Sequence, residues 1–584
     1  MSENANSTLN VSTTIKLSEE MKQYNDVGLD YLRKILLAPV YDVAVETELT
    51  SLTKLSTRLK QNIFLKREDQ QPVHSFKLRG AYNKLASLTE QECIHGVIAA
   101  SAGNHAQGLA LAANKLGIKA TIVMPITTPD IKVDNVRRFG ADVRLIGKSY
   151  SEAQAASLDY ARDEHKTMIH PFDDADVIAG QGTVAKELLQ QLPHADVVFV
   201  PVGGGGLLAG MSVYLKQLRP DIKVIGVEAQ DSACLQAAMK AGKPIDLEQV
   251  GIFADGVAVK RIGTHTFDLI KRFCDDVITV NSDEICASIK DIFEQTRVIA
   301  EPAGALSLAG LTKYCLMQEA KTKEDLEKNS LNTEVVPQSL VAVLSGANMN
   351  FHSLRYVSER CELGEQKEAI LAVTIPEEKG SFRKFCQTIG GRVITEFNYR
   401  FSGDKNGDKN GDKSGNKPEN LADGDKQQAH IFVGLRLAGE ENERQHLIES
   451  LSTANYQVTD FTENELAKLH VRYMVGGKGS AYSLEQTDSI EQDKNPEKVV
   501  QERIFSFEFP EYPGALESFL DTLGEHWNIT LFHYRNHGAA FGQVLAGFEV
   551  SDEQQLAFFR HLKDLGYQYQ EETQNPSFQA FLAG

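Results

Sequence analysis

Val73-His74-Ser75-Phe76-Lys77-Leu78-Arg79-Gly80 (VHSFKLRG) follows the polar run KREDQQP. Ser75 is a good N-cap residue, and Phe76, Leu78, Tyr82 and Leu85 form an apolar stripe, so the spacing predicts a helix with Lys77 in its first turn. The positive end of a helix disfavours an ammonium group, which lowers the amine's pKa and makes it a better nucleophile. A solvated surface lysine is the plainer reading, and helix position alone does not displace it. The segments that follow do.

Three further motifs come after it: SAGNHAQG (Ser101 to Gly108), VGGGGLLAG (Val202 to Gly210) and SGAN (Ser345 to Asn348). Around them, apolar β-type runs alternate with helix-length segments. The runs are GVIAAS from Gly96, ATIVMP from Ala120, ADVRLIG from Ala141, DVVFVPV from Asp196, KVIGVE from Lys223, DVITV from Asp276 and LVAVLS from Leu340. Near-continuous Val/Ile runs spaced this way predict buried parallel strands in an open α/β architecture. Ligands in such sheets bind beyond the carboxyl ends of the strands, and SAGN, GGGG and SGAN each follow a run directly.

In this order the four motifs resemble those of the pyridoxal-phosphate enzymes of the tryptophan synthase β type, and within them most closely the biosynthetic threonine dehydratases. The resemblance covers the chain from about Asp26 to its end and implies an α/β, fold type II catalytic domain of two open subdomains over residues 26–364. It implies pyridoxal 5′-phosphate as cofactor, carried covalently by Lys77 with Phe76 against a ring face. Backbone N–H groups of Gly203, Gly204, Gly205, Gly206 and Leu207 then hold the phosphate at a helix start. Asn104 lies near the 3′ oxygen, Ser345 faces the ring nitrogen, and Ser101, Gly103 and Asn104 bind the substrate carboxylate. The implied reaction turns L-threonine into 2-oxobutanoate and ammonia, the committed step of isoleucine biosynthesis, with serine as a secondary substrate. His105 is a lone histidine and receives no catalytic role.

Beyond Cys361 the texture changes, and the remainder repeats itself. AVTIPEEKGSFRKFCQTIGG…VITEFNYR aligns with SFEFPEYPGALESFLDTLGE…NITLFHYR, matching Pro376 to Pro510, Gly380 to Gly514 and Tyr399-Arg400 to Tyr534-Arg535. Each copy reads as a small α+β module of the ferredoxin-like, ACT-like kind, over residues 369–467 and 503–575. The resemblance makes them a regulatory domain with Tyr399, Arg400, Tyr534 and Arg535 at effector sites, inhibited by isoleucine and relieved by valine. A tyrosine ending a strand is otherwise an amphipathic edge residue. Residues 403–428 form a Gly-Asp-Lys-Asn tract too polar to order itself, expected to be a disordered insertion, and 476–502 reads as a polar linker. Residues 1–25 read as a flexible arm.

With 42% hydrophobic and 24% charged residues over 584, the composition is that of a globular protein of several domains. A net charge of -19 speaks against nucleic acid, which needs clustered positive charge. No run approaches the ~20 apolar residues of a membrane helix. Seven cysteines without CxxC spacing suggest neither a disulfide framework nor a metal site, and the expected setting is a reducing cytoplasm. Family resemblance adds a homotetramer.

Two other readings compete. Gly204 to Ala209 fits GxGxxA after a strand, with Glu228 ending the next strand where a dinucleotide ribose would be held. That reading leaves VHSFKLRG and SGAN without a purpose. A non-catalytic amino-acid sensor would use the repeated end alone. A serine dehydratase or other β-eliminating enzyme of the same fold is the nearest alternative, and the C-terminal repeat favours the regulated, biosynthetic member.

Overall fold

The computed structural model describes residues 19–251, 253–329, 336–351, 353–376, 380–400, 428–440, 442–464, 467–468, 500–510, 516, 519–524, 526–535 and 541–575. Most of the polar tract at 403–428, most of the linker at 476–502 and residues 1–18 of the expected arm lie outside the described residues. Two compact units emerge, Met1–Gly364 and Glu365–Gly584.

The first unit holds ten strands: β1 (Leu49–Ser51), β2 (Asn62–Arg67), β3 (Val97–Ala100), β4 (Ala120–Met124), β5 (Asp142–Leu145), β6 (Thr167–Met168), β7 (Val197–Pro201), β8 (Lys223–Ala229), β9 (Asp276–Val280) and β10 (Ser339–Leu344). They form two sheets, ordered β1-β2-β10-β7-β8-β9 and β5-β4-β3-β6. Every pairing is parallel except that of β1 with β2. The central strands β3, β4 and β7 are buried throughout because helices cover both faces. That is why they read as unbroken apolar runs.

Two sequence expectations change here. The helix Glu19–Leu37 extends back into the expected arm, because Val27, Tyr31 and Ile35 recur at helical spacing and pack on the core of the larger sheet. The strand β2, NIFLKR, was not anticipated, since Lys66 and Arg67 disguise a strand whose last three residues are buried.

The second unit is one antiparallel sheet with helices, built from β11 (Glu368–Pro376), β12 (Ile394–Arg400), β13 (Gln428–Arg436), β14 (Gln457–Asp460), β15 (Val500–Pro510), β16 (Asn528–Arg535), β17 (Phe541–Ser551) and β18 (Gln568–Glu571). Its order is β14-β11-β13-β12-β16-β17-β15-β18, so the two copies join through β12 and β16. The join is pseudo-two-fold: Phe397 pairs with Tyr534, Asn398 with His533 and Tyr399 with Phe532. Each copy carries a bulge at the same place, near Thr395 and near Thr530. There Thr395 donates to Glu368, and Thr530 to Glu502 at 2.5 Å. The ladder of β15 to β17 starts at Val500 opposite Ser551, three residues before the boundary read from the sequence, because QER continues the strand.

Candidate active site

The helix predicted at VHSFKLRG is present, but it spans Lys77–Ala86 and Ser75 does not cap it. Phe76 occupies the cap position in a helical conformation, and no side chain caps the end. Ser75 instead forms an isolated bridge to Gly346, and its buried hydroxyl has no hydrogen-bond partner. The first motif is tied to the fourth by Phe76 N–H to the Ser345 carbonyl (3.2 Å) and Ala347 N–H to the His74 carbonyl (2.9 Å). Leu78, Tyr82 and Leu85 are buried under the smaller sheet, whereas Phe76 packs on the cluster that contains Val202 and Leu207.

The second motif opens the helix Asn104–Leu116 after β3. This helix runs hard against the start of the lysine helix, since a Cβ on Gly108 would lie 3.0 Å from the Leu78 nitrogen and 3.1 Å from the Lys77 carbonyl carbon. A side chain there would push the two helices apart by a few tenths of an ångström. His105, one turn before Gly108, is buried with its Nε2 unpartnered. Burial, then the Lys77 charge, hold its pKa down to about 3, so the ring is neutral. Ser101 Oγ accepts from Gly103 N–H at 3.4 Å, and the space where a Gly103 Cβ would stand is open.

Lys77 is partly exposed as a residue, yet its ammonium lies deep, 5.3 Å from the Phe76 ring centre. Among the described residues it makes no hydrogen bond or ion pair. Its pKa is lowered chiefly by burial, against the opposing pull of Glu301 and Asp255. Desolvation, rather than the helix end alone, is therefore what lowers the pKa of this amine.

The third motif follows β7 and opens the helix Gly206–Leu218. Gly205 has φ +91, and a Cβ on Gly204 would sit 2.2 Å from the Phe172 ring. The carbonyl of Gly204 accepts from Thr266 Oγ1 (2.8 Å) and Gly263 N–H (3.4 Å), and that of Gly203 from Cys234 Sγ (3.5 Å). The N–H groups of residues 203–208 have no backbone acceptor among the described residues. Carbonyls tied back and amides left free make an anion cradle at a helix N-terminus.

In the fourth motif Ser345 is buried and its hydroxyl donates to the Ala303 carbonyl at 3.2 Å. Asn348 Nδ2 donates to Asn104 Oδ1 (2.7 Å) and to the Val73 carbonyl (2.8 Å). Asn104 Nδ2 donates in turn to Glu301 Oε1 at 2.6 Å. Glu301 belongs to no motif, and no periodicity or spacing marks a single glutamate before a helix. Val257, against Gly203 of the glycine loop, and Asp255, whose charge acts on Lys77 and Glu301, were equally invisible.

Glu228 does not serve a ribose. Its carboxylate is fully buried and accepts from Leu235 and Gln236 N–H at 2.7 and 2.8 Å, closing the start of the helix Cys234–Ala241. The dinucleotide reading fails there.

Comparison with known proteins agrees with this arrangement. The family described as pyridoxal-phosphate dependent enzyme matches residues 40–326, and the C-terminal regulatory domain of threonine dehydratase matches 359–409 and 495–582. Biosynthetic L-threonine dehydratase of Salmonella typhimurium is 54% identical over 95% of this chain and 98% of its own. The chain belongs to the biosynthetic threonine dehydratases. The mitochondrial threonine dehydratase of Saccharomyces cerevisiae is 46% identical over 97% of this chain and 92% of its own. Among solved structures, the processed form of threonine deaminase isoform 2 from Solanum lycopersicum is 45% identical, with a TM-score of 0.55 over 58% of this chain and 89% of that one. Maize serine racemase gives 30% identity and 0.51 over 56% and 96%.

As a threonine dehydratase the chain is a pyridoxal-phosphate-dependent ammonia-lyase. The residues present fit that cofactor in kind, since it needs an amine for its aldehyde and donors for its phosphate: Lys77 offers an amine without an ion pair among the described residues, and residues 203–208 offer amides without a backbone acceptor there. None of the seven cysteines is in a disulfide. Among the described residues no cluster of His, Cys, Asp or Glu could hold a metal ion, and no helix is long and apolar enough to cross a membrane.

In the second unit, Tyr399 and Tyr534 lie on the two central strands, not on edges as their plainer reading supposed. Both are buried in the aromatic core, and Tyr399 meets the Phe382 ring edge-on at 4.6 Å. Arg400 and Arg535 end the paired segments opposite Leu531 and Glu396.

Proposed function

We propose that Lys77 bonds the cofactor through its amine with Phe76 against the ring, and that Gly203 to Leu207 hold the phosphate. Asn104 faces the 3′ oxygen and Ser345 the ring nitrogen. The observation that carries this reading is the Lys77 amine set 5.3 Å from the Phe76 ring, which itself packs on the cluster that holds Val202 and Leu207 of the glycine loop. When bound, pyridoxal phosphate supplies a sink for the electron pair left at Cα.

Ser101, Gly103 and Asn104 bind the threonine carboxylate at the positive end of the helix Asn104–Leu116. Lys77 would then take the Cα proton, and burial, which lowers its pKa, favours the free amine that this needs. Departure of the β-hydroxyl leaves an enamine that tautomerises and hydrolyses to 2-oxobutanoate and ammonia. Serine follows the same course to pyruvate, since one methyl group separates substrates by only about 1–3 kcal/mol.

Isoleucine inhibits and valine opposes it, through a shift between two states of a homotetramer. Support comes from the regulatory-domain match and from Tyr399 and Tyr534 standing in one shared ladder, so that a change at either copy is felt by both. Arg400 and Arg535 belong to the same effector sites. Steady-state kinetics on threonine and serine, with and without isoleucine and valine, test the whole reading. Tyr399→Phe or Tyr534→Phe keeps the core filled and should raise the half-inhibiting isoleucine concentration at least about fivefold, with uninhibited turnover retained. Inhibition identical to the parent in both variants would move the effector site elsewhere.

A further inference from the structure

Glu301 immediately precedes the helix Pro302–Asn329, is 5% exposed, and stands over the SGAN loop. The approach is close: a Cβ on Gly346 would fall 2.1 Å from Glu301 Oε1. Its bond to Asn104 completes a buried chain, Glu301 to Asn104 to Asn348 to the Val73 carbonyl, that joins three of the four motifs. An amide side chain is nearly symmetric in shape, so packing alone does not select which way it faces. Here an acceptor meets its nitrogen and a donor meets its oxygen. Turning it over would set Oδ1 against a carboxyl oxygen and Nδ2 against another Nδ2, leaving buried groups unpaired.

We propose that Glu301 is a positioning residue for the dehydration, holding the Asn104 amide with its nitrogen side toward the cofactor's 3′ oxygen. This rests on the assignment of Asn104 made above. The groups facing the carboxyl are the Asn104 amide, the Lys77 ammonium and Asp255, the last paired with Lys132. Burial first, then Asp255, push the Glu301 pKa up to about 7, against the Asn104 bond and the two lysines. The carboxyl therefore changes charge near neutral pH, and its bond to Asn104 strengthens as it ionises.

Holoenzyme of Glu301→Ala, Glu301→Gln, Asn104→Ala and the Ala/Ala double variant provides the test, read by visible absorbance of the bound cofactor across about pH 6–8 and by kcat and KM for threonine. Glu301→Ala should lower kcat about 10–100-fold with KM little changed, as loss of a supporting hydrogen-bond partner does. Glu301→Gln should recover most of that loss and abolish the absorbance change near pH 7. The double variant should be no worse than Asn104→Ala. Multiplying losses in the double variant, or a Glu301→Gln absorbance profile equal to the parent's, overturns the inference. Parental absorbance and turnover in Asn104→Ala would instead refute the Asn104 assignment.

Discussion

Lys77 and Arg79 stand two residues apart on one helix, and their surroundings are opposite. Arg79 is fully buried and every charge near it is matched: its guanidinium donates to Glu68 at 2.8 and 2.8 Å, to Glu187 at 2.6 Å and to Thr183 at 3.1 Å. Lys66 completes the set, donating to Glu187 (2.7 Å), the Thr47 carbonyl (2.6 Å) and Gln191 (3.0 Å). Around Lys77, among the described residues, the amine makes no ion pair, and the Ser75 hydroxyl and His105 Nε2 have no hydrogen-bond partner. The matched network fixes the helix. Buried polar groups without partners are uncommon, and two near one lysine set this end of the helix apart from the other.

Lys77→Ala gives the largest effect expected from this contrast. Turnover of threonine should fall below detection while the thermal midpoint, compared between parent and variant both freed of cofactor, stays level or rises, because a buried amine without an ion pair is removed. A strongly lowered midpoint would show that Lys77 is as structural as Arg79.

Arg79→Met should be the reverse. Breaking a matched buried network by one partner costs about 3–5 kcal/mol, to be measured by urea denaturation, and Arg79→Met with Glu68→Met should cost less than the two singles summed. Additive losses would mean that the network is not a unit. At the small end, Arg162→Ala removes an exposed pair with Asp159 and should leave the urea midpoint unmoved. A clear shift there would blur the distinction between buried and exposed charge on which the comparison depends.

Much of this was legible in the chain. β7 and β10 carry continuous apolar runs because both faces are covered, and the motifs after them sit at strand ends because that is where a parallel sheet opens. The internal repeat was legible because the same core positions, Phe385 and Phe519 among them, recur in each copy. The strand β2 was hidden because Lys66 looks like a surface residue until Glu187, 121 positions away, is brought to it.

The sequence alone determined the family and offered the candidates for its chemistry, since an amine, a glycine loop and two polar turns are local features that survive in the unfolded chain. Only the tertiary structure decided how they are held. β10 lies between β2 and β7, so Ser345 and Gly346 meet Phe76 and Ser75 across some 270 residues, by roughly the arithmetic of strand order rather than of sequence. The same folding buries Lys77 away from water and sets Glu301 against Asn104. Desolvation and hydrogen-bond partnership are properties of neighbours in space, and a chain read in order does not contain them.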